Sequence, residues 1–414
     1  MRLPEHGLSW SEISPQLEAA KRKDFSWRQG RMAFYFYYLD DALTEVQKNA
    51  YTSYWTENNL GKGAFPSLAQ LEGEVIRFGL DLMHAPEGAA ATFTSGGSES
   101  IFLALQTARD AARAERGIKE PNFVVPRTAH PAFSRAGHAL GIEIRRVPTT
   151  RADFRADVAG MAARIDGQTI GLVGSAPNYP FGVFDPIAEL GVLATQRGLW
   201  LHVDACVGGF LSPWVKRLGY PIPDWDFAVP GVTSISADLH KYGMAPKGAS
   251  LMLLRSDEIK QKHQKFDFRD WERGTYATFV MQGTRPGGAV AAAWAVIQHL
   301  GEDGYLRCAR LIMDAKKQLV AGVNQIPGLE VLEPHELCIF VTRSRDPALD
   351  MAAVCDAMVA RGWYVGRQAE PVGIHMALNP VHHENIDVYL ADLRGAVAAV
   401  RQSRAVGTAA GQTY

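Results

Sequence analysis

The sequence of 414 residues is nearly without net charge: 43 basic residues stand against 44 acidic ones, leaving −1 at neutral pH. No broad field of either sign is available to gather nucleic acid or an anionic membrane, so recognition of any anion has to be local. Cysteine is scarce too. Cys206, Cys308, Cys338 and Cys355 are widely spaced with no CxxC pair, which suits a reducing compartment better than a disulfide framework. Long hydrophobic runs are missing: the most apolar stretch, "GGAVAAAWAVIQHL" (287–300), is too short to cross a bilayer. The first 24 residues hold no apolar core of a secretory signal. These absences lead to the expectation of a cytoplasmic, soluble protein with no membrane span, no nucleic-acid partner and no metal site.

What is present is alternation. Short apolar runs at 122–126, 142–147, 169–177, 199–205, 233–238 and 249–254 read as strands, and "SESIFLALQTARDAARAERG" (98–117) and "PIAELGVLATQRG" (186–198) between them read as glycine-terminated helices. Such a pattern predicts an α/β fold around a mostly parallel sheet. After residue 288 a long helical region (288–325) precedes strand-like "LEVLE" and "LCIFVTR", the helical "MAAVCDAMVARG" and strand-like "IHMAL", as expected of a smaller α+β carboxy-terminal domain. The divisions expected are an amino-terminal segment (1–70), a large domain (71–290) and a small domain (291–414).

Three motifs carry chemistry in combination. In "TFTSGGSES" (92–100), Gly96, Gly97 and Ser98 lie where a strand gives way to a helix; a helix start offers unpaired N–H donors to a phosphate, although a plain capped turn reads the same way. In "LHVDACVGGF" (201–210), Asp204 ends an apolar strand, the place where open α/β sheets put ligand-contacting groups; Gly208-Gly209 suggests close approach of another backbone. In "SADLHKYGMAPKG" (236–248), Lys241 and Lys247 flank a tight turn, which alone is a solvated basic loop. In this order, the three supply what pyridoxal phosphate requires: a phosphate cradle, an anion for the pyridinium nitrogen, and an amine of depressed pKa for a Schiff base. His130 in "RTAHPAFSRAGHALG" (127–141) could lie over a planar cofactor, Tyr179 could face the cleft, and Asp185 could cap the helix that starts at Pro186.

The motifs "LTEVQKNAYTSYWTENNL", "FPSLAQLEGEV", "TSGGSES", "TAHPAF", "GSAPNYPFGVFDP", "HVDACVGGF", "SADLHKYGMAPKG" and "GTYATFVMQGTRPGG" resemble, in order and over nearly the whole chain, the pyridoxal-phosphate-dependent group II decarboxylase superfamily, and within it the sphingosine-1-phosphate lyases. The resemblance implies fold type I and a homodimer with shared active sites. It implies that Lys241 carries the cofactor, Asp204 pairs with the pyridinium nitrogen, His130 stacks on one ring face and Ala205-Cys206 packs near the other. Gly96, Gly97, Ser98 and His240 would bind the phosphate, joined by Thr284 from the partner subunit. Lys247, Tyr37 and Asn58 would meet the substrate, and Tyr179 and Lys241 would move protons.

Two departures from the lyase pattern stand out. Gly61 occupies the place of a pocket histidine, and Phe34 and Tyr35 replace small residues, with a reshaped pocket wall expected. The reaction implied is cleavage of the Cα–Cβ bond of a small-molecule amine, a phosphorylated amino alcohol or β-hydroxy amine, to an aldehyde and an amine. Decarboxylation of an amino acid is the alternative. An aminotransferase lacks support, since no arginine motif for an α-carboxylate is evident, and the Asp204–Lys241 pair argues against a non-catalytic scaffold.

Overall fold

The computed structural model describes residues 3–61, 63–150 and 152–408. Seven strands form the main sheet: β1 (Ala90–Thr94), β2 (Asn122–Pro126), β3 (Glu143–Val147), β4 (Thr169–Ser175), β5 (Trp200–Asp204), β6 (Ser234–Ala237) and β7 (Ser250–Leu254). Their order is β1-β7-β6-β5-β4-β2-β3. β7 runs antiparallel to both neighbours and the remaining pairs are parallel. The strands expected at 122–126 and 169–254 appear with their ends trimmed by one or two residues at most. β1, β2, β4, β5, β6 and β7 are buried along their whole length, as continuous apolar runs covered on both faces should be. β3, at one edge, is half-exposed and carries charge, which discourages pairing with another chain.

The helix after β1, Gly97–Arg116, ends on Gly117 in the left-handed region (φ 66°), the conformation glycine adopts without a Cβ penalty. The helix after β2, Pro131–Leu140, is capped by His130, whose Nδ1 accepts from the Ala132 N–H at 3.1 Å. After the main sheet come a short exposed hairpin, β8 (Phe266–Phe268) with β9 (Tyr276–Thr278), and the helical stretch Gly287–Asn324. The single long helical region expected there is in fact broken at Gly301, whose backbone (φ 54°, ψ −170°) is non-helical. A second sheet of four antiparallel strands follows: β10 (Leu329–Val331), β11 (Ile339–Ser344), β12 (Gly366–Ala369) and β13 (Val372–Ala377), in the order β10-β11-β13-β12. Helices Met351–Val359 and Ile386–Ser403 pack on each other beside it.

One hydrophobic cluster spans both sheets, from Val203 and Ile235 to Ile339 and Leu393, so the second sheet is fastened to the first by shared core. No described helix is long and apolar enough to cross a membrane. All four cysteines are buried and unpaired.

Candidate active site

The carboxyl ends of five strands converge on one cavity of about 380 Å³. β1 runs into Ser95, Gly96, Gly97 and Ser98; β2 leads to His130; β4 ends at Ser175 and leads to Tyr179; β5 ends at Asp204 before Cys206; β6 leads to Asp238, His240 and Lys241. Parallel strands leave their carboxyl ends open for ligand-contacting loops, and the neighbouring antiparallel β7 returns the chain from the Lys241 turn.

Asp204 is nearly buried. Its Oδ1 accepts from the Cys206 N–H at 3.1 Å and from the Ser236 hydroxyl at 3.4 Å. The Cys206 thiol donates to Ser236 at 3.4 Å, and burial pushes its pKa well up, so it stays a neutral thiol. Lys241 Nζ lies 3.0 Å from Oδ2 of Asp238, a carboxylate only 2% exposed, and His240 Nε2 lies 3.6 Å from the same oxygen. A depressed pKa was expected for Lys241; the structure corrects this. Burial alone pushes the amine down, but the Asp238 charge, with a smaller contribution from Asp204, outweighs it and leaves the ammonium well above its ordinary value. Burial lowers the His130 pKa despite the opposing pull of Asp204. The ring is therefore neutral, and because Nδ1 accepts from Ala132 the proton sits on Nε2.

Pyridoxal phosphate fits this set. A Cβ on Gly97 would lie 2.6 Å from Cys206 Sγ and 2.9 Å from Asp238 Oδ2, and one on Gly96 3.1 Å from His240 Cε1. Glycine thus lets the helix start approach the cavity floor and present its N–H groups there.

Nine of the expected residues line this cavity: Gly96, Gly97, Ser98, His130, Tyr179, Asp204, Cys206, His240 and Lys241. Tyr179 rests against the His375 ring of β13 (centroids 4.7 Å apart), and His375 Nε2 donates to its carbonyl at 2.8 Å. Lys247 and Tyr37 line a second cavity of about 510 Å³ with Lys23, Trp27, Tyr35 and Tyr364. The Lys247 ammonium sits 4.7 Å over the Tyr37 ring and donates to the His240 carbonyl at 3.1 Å. Enclosure and the nearby Lys241 charge push its pKa down to about 8. Asn58 and Thr284 line neither cavity but meet each other, Asn58 Nδ2 donating to Thr284 Oγ1 at 3.2 Å.

Three expectations need correction or division. Asp185 is not a helix cap; it is buried and accepts from the Ser175 and Ala156 N–H groups, both at 2.8 Å, while Pro186 precedes the helix. Of the two bulky replacements, Tyr35 does line the second cavity, but Phe34 is core, 5% exposed and 5.5 Å from the Tyr364 ring. A Cβ on Gly61 would be tolerated, in ordinary van der Waals contact with Ala64 Cβ at 3.7 Å and with the Asn58 carbonyl oxygen and the Phe65 ring at 3.8 Å. Asp238 was missed. Its place just after β6, three residues before the lysine, was the available signal.

The chain matches a family model, the pyridoxal-dependent decarboxylase conserved domain, over residues 27–342. It is 40% identical to a sphingosine-1-phosphate lyase of Arabidopsis thaliana over 96% of this chain and 74% of that one. A solved sphingosine-1-phosphate lyase of Burkholderia pseudomallei superimposes with a TM-score of 0.93 at 36% identity, covering 98% of this chain and 94% of the other. A probable L-tyrosine/L-aspartate decarboxylase of Methanothrix thermoacetophila is 33% identical over 96% and 98% of the two chains. The strand-end cleft, its lysine and these likenesses converge: the chain belongs to the pyridoxal-dependent decarboxylase family and is a pyridoxal-phosphate-dependent lyase.

Proposed function

We propose that the protein cleaves the Cα–Cβ bond of a phosphorylated amino alcohol, releasing an aldehyde and a phosphorylated amine. The observation that carries this reading is the second cavity: a cation, Lys247, held over Tyr37 and bonded to the backbone of His240, one residue from the reacting lysine. A phosphate on the substrate takes that cation while the substrate amine reaches Lys241. Likeness to sphingosine-1-phosphate lyases over the whole chain supports it.

Bound pyridoxal phosphate supplies an electron sink for the amine-bearing carbon. In this proposal Gly96, Gly97, Ser98 and His240 hold its phosphate, Asp204 its ring nitrogen, and the neutral His130 and Cys206 its faces. Lys241 is the attachment point. The freed Lys241 amine, acting through the Tyr179 hydroxyl that His375 braces, takes up the β-hydroxyl proton as the bond breaks, and the resulting Lys241 ammonium returns it to Cα. In the cofactor-free protein Asp238 holds Lys241 as a cation.

The same division of labour assigns 71–290 to cofactor binding, 291–414 to a small domain, and 1–70 to the substrate cavity and the dimer. Asn58 and Thr284 form a pair outside their own cleft, which fits a homodimer in which they complete the partner's site. The exposed Phe266, Phe268, Trp271 and Met281 supply apolar surface for such a contact. Mixing Lys241→Ala chains with Thr284→Trp chains should then restore activity that neither has alone. The four unpaired thiols fit a cytoplasmic location.

The test is to give the holoenzyme a phosphorylated sphingoid base and, separately, tyrosine, aspartate and glutamate, and to measure aldehyde and CO₂. Aldehyde from the first and no CO₂ from the others is expected. CO₂ without aldehyde would establish the decarboxylase reading, which the Methanothrix relative favours.

A further inference from the structure

Away from the cofactor cleft, a cavity of about 460 Å³ opens between the turn at Tyr220, Pro221 and Ile222, the helix face bearing Met313, Lys316 and Val320, and the segment His335–Glu336. Its size is that of a small-molecule site. Its walls are apolar, but its polar groups are unusual. Lys316 is only 6% exposed although it is a lysine, and its Nζ has one protein partner, the His335 carbonyl at 3.1 Å. An ammonium has three donors, so the arrangement leaves capacity in a place where water is scarce. Both ring nitrogens of His335 are buried without a hydrogen-bond partner, although Nε2 lies 3.0 Å from Glu333 Oε1. Lys317 adds a second cation at the rim.

The acidic groups do not cancel these cations. Glu336 is engaged elsewhere: Oε1 pairs with Arg155 at 2.7 Å and Oε2 accepts from the Phe184 N–H at 2.7 Å. Glu333 points its charge at His335, and its side chain is largely in solvent. Burial pushes Lys316 down to about 8, with Cys338, Glu333 and Glu336 acting in the opposite direction, so the amine is charged at neutral pH. A buried cation with a single carbonyl partner is costly to keep. An apolar pocket around it calls for an anion attached to an apolar body.

We propose that this cavity is a second ligand site that takes an aliphatic carboxylate, its chain against Tyr220, Ile222, Met313 and Val320 and its charged end on Lys316. No residue of the cofactor cleft contributes to it. Its floor is nevertheless tied to the loop that carries Tyr179: the Glu336 N–H donates to the Gly182 carbonyl at 3.0 Å, and the Gly182 N–H to the Asn178 carbonyl at 2.9 Å. The occupant therefore sits against the segment that positions the cleft tyrosine.

Calorimetric titration of the holoenzyme with decanoate at pH 7, kept below its micelle concentration, tests the assignment. One decanoate per chain is expected, with affinity falling by about tenfold or more in Lys316→Met, which removes the charge but keeps the bulk. Ala321→Trp, at the exposed rim, should weaken binding comparably without touching the core, and both variants should retain the holoenzyme's cofactor absorbance and thermal unfolding. Decan-1-ol should bind at least about tenfold more weakly, since it lacks the anion. The proposal is overturned if decanoate does not saturate, if both variants bind it as the parent does, or if decanol binds equally well.

Discussion

Asp238 and Lys241 are three residues apart, and their contact sets both charges. Burial raises the Asp238 pKa, but Lys241 and His240 pull it below its ordinary value. A carboxyl whose folded pKa is depressed contributes stability above its unfolded pKa and loses it as pH falls through the folded value. Asp238→Asn should therefore destabilise the cofactor-free protein by about 3 kcal/mol at pH 7, and the difference should shrink below about pH 4; urea unfolding across pH measures it. Lys247 has the opposite sensitivity. Its pKa of about 8 means that the cation disappears as pH rises past that value, so KM for a phosphorylated substrate should climb between pH 7 and 9 with kcat little changed. In Lys247→Gln the KM should be high throughout and the step absent, as steady-state kinetics across that range will show.

At the scale of elements, the site depends on places where backbone meets backbone. The close approach anticipated at Gly208-Gly209 is real: a Cβ on Gly208 would overlap the Ala176 carbonyl oxygen, and one on Gly209 would lie 2.7 Å from the Ala237 Cβ. These contacts seat the turn after β5 between the ends of β4 and β6, which keeps Asp204 and Tyr179 on the same cavity. Gly208→Ala should cost about 3 kcal/mol, because backbone yields less readily than a side chain, and cofactor affinity should fall with it. Thermal unfolding and an absorbance titration with pyridoxal phosphate read the two effects separately. The strands themselves were legible because their apolar runs are continuous and bounded by glycine, proline or a charged residue. The break at Gly301 was not, since glycine within an apolar helical pattern gives no sign of whether the axis continues.

Across the whole molecule, three histidines are sealed in different layers: His202 in β5, His375 in β13 and His382 beyond it. Burial holds each at a pKa of about 4. The unfolded chain takes up protons at these rings near pH 6.5, whereas the native protein does so only near 4. Each ring thus contributes stability that is present above about pH 6.5 and lost as pH falls toward 4, on the order of 3 kcal/mol apiece. Stability should drop steeply over that window, and His375→Gln should flatten part of the slope in urea midpoints measured from pH 7 to pH 4.5. The loss reaches the site directly, because His375 donates to the carbonyl of Tyr179.

The sequence by itself determined the alternation of strands and helices, the mostly parallel sheet, and the places of the glycine turn before the helix, of Asp204 and of Lys241 at strand ends. Each is a local pattern: an apolar run, a glycine pair before a helix, a charged residue at a strand end. Tertiary structure decided the rest. Only packing made Asp238 the partner of Lys241 and reversed the expected direction of the lysine's pKa, because a charge balance in a buried site depends on which groups the folded chain brings within 3–4 Å. Packing also separated Phe34 from Tyr35, sending one into the core and the other to a cavity wall, and placed Lys247 over Tyr37 across two hundred residues of sequence. Adjacency between distant segments leaves no periodic trace in a single chain, and the second cavity of this protein is made of such adjacencies.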